Sequence, residues 1–302
     1  LAALLVACFG ALFATADSAF AEQAGDLVLV SASPLDVLWR ALVGATAVGG
    51  TAALTVAARP RPAGPQRLGP APGVTELRIA LSALVALFAA FVGVQLQVLF
   101  GGAAYVQRTT GLGLGEYARQ GFVQLLVVAA LTLAVVAVAA RRRDPVVRGL
   151  LAALCALTLV VLVAALERIG LVEDAYGLTR VRYGGHAIAL WLAAIFVVVL
   201  AAGASARLAR HAPRAAVLLS LAAALALCLS DPDRRIAERA VDRYAEEGTL
   251  DEAFLSGLSA DALPALRELD GPTSRQVLDP IEARLARPDG LLGLNVARTI
   301  AR

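Results

Sequence analysis

The sequence predicts an all-α protein: a polytopic transmembrane helix bundle of about seven spans, with a small C-terminal extramembrane helical domain. Hydrophobic residues make up 59% of the 302 residues and charged residues 17%, whereas soluble domains average about 45–50% and about 25%. Aromatic residues account for only 5%, so the excess is aliphatic. No alternation of apolar and polar residues indicates a strand. These observations exclude an ordinary soluble domain and indicate an integral membrane protein.

A membrane-spanning helix needs about 20 mostly apolar residues, and seven stretches of the sequence approach this length. They are Leu1–Ala21, Leu35–Ala58, Ile79–Phe100, Tyr117–Ala140, Val146–Leu166, Gly184–Ala204 and Ala215–Ser230. The last stretch has only 16 residues between Arg214 and Asp231. Whether it spans decides on which side of the membrane the C-terminal region lies.

The first stretch has two interpretations. Small residues at Ser18–Ala21 before Glu22 resemble a signal-peptidase site, which would make this stretch a cleaved leader. No basic segment precedes it, and this favours a true span. The chain contains no Met, so we expect it to lack its initiator and some N-terminal sequence.

The connectors between the predicted spans differ in basic charge. Eleven Arg lie on one side, at 59, 61, 67, 78, 141, 142, 143, 148, 207, 210 and 214, and six lie on the other, at 40, 108, 119, 168, 180 and 182. Because cytoplasmic loops are enriched in basic residues, the first set is predicted to be cytoplasmic. With seven spans, the C-terminal domain is then extracytoplasmic.

The acidic residues mark a domain boundary. Residues 1–230 carry 17 Arg and 10 acidic residues, while residues 231–302 carry 10 Arg and 14 acidic residues. The change predicts a transmembrane bundle over residues 1–230 and an extramembrane helical domain over residues 231–302.

Helix start and stop signals recur within residues 231–302. Asp231 is predicted to cap a helix that begins at Pro232 and ends at Gly248. Thr249–Glu252 has the pattern of a capping box for a second helix. Further helices are expected from Ser259, from Thr273 with a bend at Pro280, and over Leu291–Ala301.

Polar residues gather at one end of the predicted spans, on the side with fewer Arg. Glu116 and Arg119 are three residues apart and share a face of a helix, and Asp17 lies near the same end of the first span. Ionisable groups in spans often mark functional sites, although interfacial anchoring and hydrogen bonds between helices are the commoner explanation for each residue alone. The candidate polar cluster comprises Gln95, Gln97, Glu116, Tyr117, Arg119, Glu167, Arg168, Tyr176, Arg182 and His186.

Several kinds of site are not expected. Cys8, Cys155 and Cys228 lie in separate apolar runs, and the chain has two His, so neither a disulfide framework nor a metal site is predicted. No motif indicates a cofactor. The short basic run Arg141–Arg143 suits anionic lipid headgroups better than nucleic acid. The expected partners are the lipid bilayer and a protein bound through residues 231–302.

Several motifs together resemble the DUF4153/DUF4173 family of bacterial membrane proteins. The segments that carry the resemblance are Phe91–Gln95, Leu99–Gly102, Glu116–Phe122, Tyr176–Arg182, Asp231–Asp233 with Ile236–Ala237, and Leu258–Leu266. The resemblance implies a polytopic protein of the bacterial cytoplasmic membrane with no assigned activity, usually with further N-terminal spans. Members often place Asn in the helix after the Asp231 motif, whereas Ala240 and its neighbours include none.

Three functions agree with these features. We favour a non-enzymatic membrane scaffold, sensor or regulatory component, because no complete catalytic set is present and a helical domain is available for a partner. A transporter or channel would use the polar cluster. An intramembrane enzyme for lipid-linked substrates would use Glu116 as acid or base and Arg119, Arg168 or Arg182 as phosphate contacts.

Overall fold

The structure, a computed structural model, describes residues 2–18, 20–21, 73–110, 121–142, 144–248, 250–269 and 272–286. All regular elements in these ranges are helical, as the sequence predicts. They are α1 (Ala2–Ala16), α2 (Val74–Thr110), α3 (Phe122–Ala139), α4 (Pro145–Tyr176), α5 (Arg180–Ala204), α6 (Ala206–Leu229), α7 (Pro232–Glu247), α8 (Glu252–Ser256), a 3₁₀ turn (Ala260–Ala262), α9 (Leu263–Leu266) and α10 (Pro272–Leu285).

Five of the described helices are long and apolar enough to cross a membrane. They contain the segments Val74–Leu96, Phe122–Ala139, Pro145–Asp174, Arg180–Ala204 and Ala206–Leu229. Helix α1 is also apolar but has 15 residues, and the predicted span Leu35–Ala58 lies outside the described residues. The last predicted span is longer than expected, because α6 begins at Ala206 and includes Pro213 within its length.

The chain divides into two compact units. Unit 1 comprises residues 1–172 and 188–219, and unit 2 comprises residues 173–187 and 220–302. The predicted boundary between residues 230 and 231 stays a prediction.

The core of unit 1 contains a layer of aromatic rings from α1, α2 and the turn after α1. Phe13 stacks on Phe91 with ring centroids 4.1 Å apart and meets Phe88 edge-on at 4.9 Å. Phe20 contacts Phe91 at 5.4 Å, and Phe9 contacts Phe88 at 5.6 Å. All five rings are buried, so this layer packs α1 firmly against α2.

Unit 2 has its own apolar core from the short C-terminal helices. Ile236 on α7, Leu255 on α8, Leu263 and Leu266 on α9 and Val277 on α10 are all at most 1% exposed. Short helices are marginal alone, so their burial against one another stabilises unit 2.

The ends of these helices follow the predicted signals only in part. Pro232 is the first residue of α7 and Gly248 ends it with φ +69°, as expected, but the Asp231 side chain makes no capping bond. The prediction that Thr249 caps the next helix was wrong. Asp251 takes that position and accepts a hydrogen bond of 3.0 Å from the Phe254 N–H.

Candidate functional site

Three polar side chains meet inside unit 1. The Arg168 guanidinium on α4 is bonded to the Asp17 carboxylate, which follows α1. It also donates to Oε1 of Gln95 on α2 at 3.0 Å and to the Ala16 carbonyl at 3.0 Å. Gln95 Nε2 donates to Asp17 at 2.7 Å, and the Phe20 N–H donates to the same carboxylate at 2.9 Å. The cluster therefore joins α1, α2 and α4.

The cluster is closed to solvent. The side chains of Arg168 and Asp17 are 5% and 0% exposed, and Gln95 is buried. A buried charge is very costly unless it is paired and hydrogen-bonded, and each charge here has both kinds of partner. The arrangement serves first to hold three helices in register. Of the ten candidate residues, Gln95 and Arg168 meet here; Asp17, an acid next to an apolar helix, completes the pair.

Gly121 brings the start of α3 against the same cluster. Its φ is +83°, a left-handed conformation that favours glycine. A Cβ placed on it would lie 1.7 Å from the Ala16 carbonyl oxygen, the same oxygen that accepts from Arg168. Only glycine allows this close approach.

Of the remaining candidates of unit 1, the described residues include only the side chain of Glu167, and it does not join the buried cluster. Glu167 is exposed although its neighbour Arg168 is buried, because adjacent helical residues face different directions. The side chain of Gln97 and all of Glu116, Tyr117 and Arg119 lie outside the described residues.

A second ionic contact in unit 1 braces the start of α4. Arg78 on α2 donates to both oxygens of Asp144, at 3.2 Å and 2.5 Å. Asp144 also accepts from the Val147 N–H at 2.9 Å, which caps α4. The Arg78 guanidinium, followed by the Val147 N–H, holds the pKa of Asp144 below its usual range.

Unit 2 contains a polar pocket of about 630 Å³, a volume within the range of small-molecule sites. Its lining comes from the end of α4, the start of α5, the end of α6 and the first turns of α7. The lining residues are Glu173, Leu178, Tyr183, His186, Leu229, Ser230, Asp231, Arg234, Arg235, Glu238 and Arg239. Of the candidates that the sequence predicts, His186 lines this pocket. The other lining residues were not predicted, because they come together only when distant parts of the chain pack.

Glu173 is the most buried carboxylate in this lining. Its side chain is 8% exposed, and Arg239 lies 3.4 Å from Oε2. Oε1 is buried without a hydrogen bond in the described structure. The His186 Nδ1 atom lies 3.1 Å from Oε1 and 3.4 Å from the Arg182 carbonyl oxygen. One carboxylate oxygen thus remains available to a donor.

The three arginines of α7 that line the pocket differ in their partners. Arg234 is paired with Glu238 at 2.8 Å, and Arg239 is paired with Glu173. Arg235 lies over the Tyr183 ring, 6.0 Å from its centroid, and makes no ion pair among the described residues. It is therefore the lining cation that retains capacity for an anion.

The pocket is held together by a contact beside it. Arg180, the first residue of α5, donates to both oxygens of Asp233 on α7, at 2.6 Å and 2.5 Å. The Ser259 N–H donates to the same carboxylate at 2.8 Å. Burial alone would raise the pKa of Asp233, but the bonds from Arg180 and Ser259 outweigh it and lower the pKa. Parallel bonds between two planar charged groups fix their relative orientation.

Tyr176 and Arg182 form a local turn between α4 and α5. Arg182 donates to the Gly177 carbonyl and, at 3.3 Å, to the Tyr176 carbonyl, and its guanidinium lies 6.0 Å from the Tyr176 ring centroid. Gly177 has φ +78°. These contacts satisfy carbonyls at the end of α4, so both candidates have structural roles here.

Within the described ranges, no group of three or more His, Cys, Asp or Glu side chains is arranged to hold a metal ion. The acid or base candidate Glu116 lies outside those ranges.

The apolar helices and the buried ionic cluster define a helical integral membrane protein that crosses the bilayer several times. The chain belongs to the family of the domain of unknown function DUF4153, whose model matches residues 1–269. No curated protein and no solved structure matches it.

Proposed function

We propose that the protein is a membrane-embedded regulatory component, a sensor or scaffold, that engages a protein partner through its C-terminal helices. It would reside in a bacterial cytoplasmic membrane, with residues 231–302 as the extracytoplasmic domain. The positive-inside bias of the connectors supports this orientation. The role proposed is non-enzymatic.

One observation carries the proposal. The connection between α4 and α5 belongs to the same compact unit as the C-terminal helices, and the Arg180–Asp233 contact ties them together. Because α5 continues from Arg180 as one helix to Ala204, a partner bound to the C-terminal helices could influence a membrane-spanning helix. Such coupling is what a sensor or regulator needs.

Photo-crosslinking in native membranes tests this function. A photoreactive residue at Asp279 or Ala283, both exposed on α10, should form a covalent adduct with one defined protein. The same residue at Val217 on α6, 68% exposed, is the matched control and should give lipid adducts only. Asp233→Ala should leave the α10 adducts in place, because the tether to Arg180 links α7 to α5 and does not form the surface of α10.

Two results would contradict the regulatory role. One is the absence of a protein adduct from every exposed position on α7 and α10 in correctly inserted protein. The other is the same set of adducts from Val217 as from Asp279, which would indicate random collision.

A transporter is the second candidate, because Asp17, Gln95 and Arg168 place charged groups inside a helical bundle. Intramembrane charges often line ion pathways. Ion flux in proteoliposomes distinguishes the two: a transporter loses flux in Gln95→Leu, whereas a structural cluster gives no specific flux in either form.

A further inference from the structure

The polar pocket of unit 2 lies where three predicted spans end. The apolar segment of α4 ends at Asp174, that of α5 begins at Arg180, and that of α6 ends at Leu229. Lining residues come from each of these three ends. The ends of membrane spans lie at the depth of the lipid headgroups. We therefore expect lipid headgroups to lie close to this pocket.

Two groups of opposite charge in the pocket can still accept a ligand. Oε1 of Glu173 is buried and accepts no hydrogen bond in the described structure, while Arg235 lacks a carboxylate partner among the described residues. A buried acceptor without a donor costs about 1–3 kcal/mol. A ligand that donates a hydrogen bond to Glu173 and presents an anion to Arg235 would provide each group with the partner that it lacks.

The two groups lie beside neighbouring residues on one face of α5. Arg235 lies over Tyr183, and Glu173 lies beside His186. Tyr183 and His186 are three residues apart on α5, so their Cβ atoms are about 5–6 Å apart on one face. Because both groups line the same pocket, a single ligand that carries a cation and an anion has access to both.

We propose that this pocket binds the headgroup of a zwitterionic phospholipid with a primary ammonium, of the phosphoethanolamine class. The ammonium donates to Oε1 of Glu173, and the phosphate accepts from the Arg235 guanidinium, which matches phosphate geometry. An anionic headgroup such as phosphoglycerol would offer Glu173 only a neutral hydroxyl donor and no cation. A quaternary ammonium has no N–H to donate, so phosphocholine would satisfy only Arg235.

The lipid site is a further property beyond the proposed regulatory role, and it does not depend on a protein partner. Lipid binding is measured on the purified full chain, whereas partner adducts are measured in membranes. Failure of the lipid-binding experiment therefore does not imply failure of the proposed regulatory function, and the reverse also holds.

Native mass spectrometry of the detergent-purified chain tests the proposal with phosphatidylethanolamine, phosphatidylcholine and phosphatidylglycerol of identical acyl chains. Phosphatidylethanolamine should bind about tenfold tighter than phosphatidylcholine, the effect of one charge-assisted hydrogen bond. Free phosphoethanolamine and glycine are added as water-soluble competitors. Weak competition by both is expected if the lipid is the ligand.

Variants locate the binding in the pocket. Glu173→Gln should remove the preference for ethanolamine over choline, and Arg235→Gln should weaken both lipids by about tenfold. Arg267→Gln and Glu282→Gln are matched controls, because these residues pair on the exposed surface of unit 2 outside the pocket, and they should bind like the parent. Unchanged helical content and gel-filtration volume show that each variant is folded.

Three outcomes would overturn the proposal. Equal binding of the ethanolamine and choline lipids would remove the role of Glu173, and preference for phosphatidylglycerol would indicate an anion site. Tight binding of free phosphoethanolamine or glycine without lipid selectivity would assign a soluble zwitterion instead.

Discussion

Arg168 and Asp17 form an ion pair in the interior of unit 1, 151 residues apart in the chain. Gln95 bonds to both of them. One end of α1, a middle turn of α2 and the last turns of α4 are thereby connected through charges that water does not reach.

Removing one partner of this pair should strongly destabilise the protein. We expect Arg168→Ala to lower the free energy of unfolding by about 3–5 kcal/mol, because the Asp17 charge is left buried without a counter-ion. Thermal unfolding in detergent measures the loss. Glu167→Ala, at the exposed neighbouring position, should change little. The pair would be shown to be dispensable if both variants unfolded at the parent temperature.

Gly121 should tolerate no side chain. Gly121→Ala places a Cβ against the Ala16 carbonyl oxygen and strains a positive φ, so we expect a loss of about 1–3 kcal/mol. Gly93→Ala and Gly149→Ala are matched controls in α2 and α4, since nothing lies within 4 Å of either added Cβ. Equal stability of all three variants, measured by the same thermal unfolding, would argue against the close approach.

Asp233 should be needed for unit 2 to hold the start of α5. Asp233→Asn removes the charge that Arg180 binds and should cost about 1–3 kcal/mol. Hydrogen exchange of α7 amides should rise in this variant. Asp242→Asn, at an exposed position of the same helix, provides the control and should exchange like the parent. Unaltered protection in Asp233→Asn would mean that the contact contributes nothing.

Unit 2 should lose stability in acid through the same carboxylate. The pKa of folded Asp233 is lowered, so its contribution is complete above the ordinary aspartate pKa of about 3.9. It is lost as the pH falls from there through the folded pKa. Hydrogen exchange of α7 as a function of pH checks this, after correction for intrinsic rates. Asp233→Asn should abolish that part of the pH dependence, and persistence of the full dependence would assign it to other carboxylates.

The first helix should remain in the mature protein. Cleavage after Ala21 would remove Asp17 and Phe20 from the core and leave Arg168 buried without its carboxylate. Tryptic mass spectrometry of protein purified from membranes should therefore recover a peptide that crosses the Ala21–Glu22 bond. Exclusive recovery of peptides that begin at Glu22 would support the cleaved leader.

Local sequence patterns predicted those features of the helices that depend on neighbouring residues alone, such as an apolar run or the glycine at a helix end. Apolar runs located the five described helices that are long and apolar enough to cross a membrane, because such a helix satisfies its own backbone hydrogen bonds in lipid. Gly248 ended α7 because glycine adopts positive φ without strain. The cap at Asp251 was missed, since Thr249 offered an equally suitable side chain two residues earlier. The local sequence does not distinguish two such alternatives.

The sequence by itself determined the class of this protein, because hydropathy and helix signals act over a single turn or a single span. Only the tertiary structure decided which polar residues meet. Asp17 pairs with Arg168 and Asp233 with Arg180 across 151 and 53 residues. Glu173 and Arg235 reach one pocket from different helices. Such contacts depend on how the helices pack, because a buried charge pairs with whichever opposite charge lies next to it in the folded protein, however distant that residue is in the sequence.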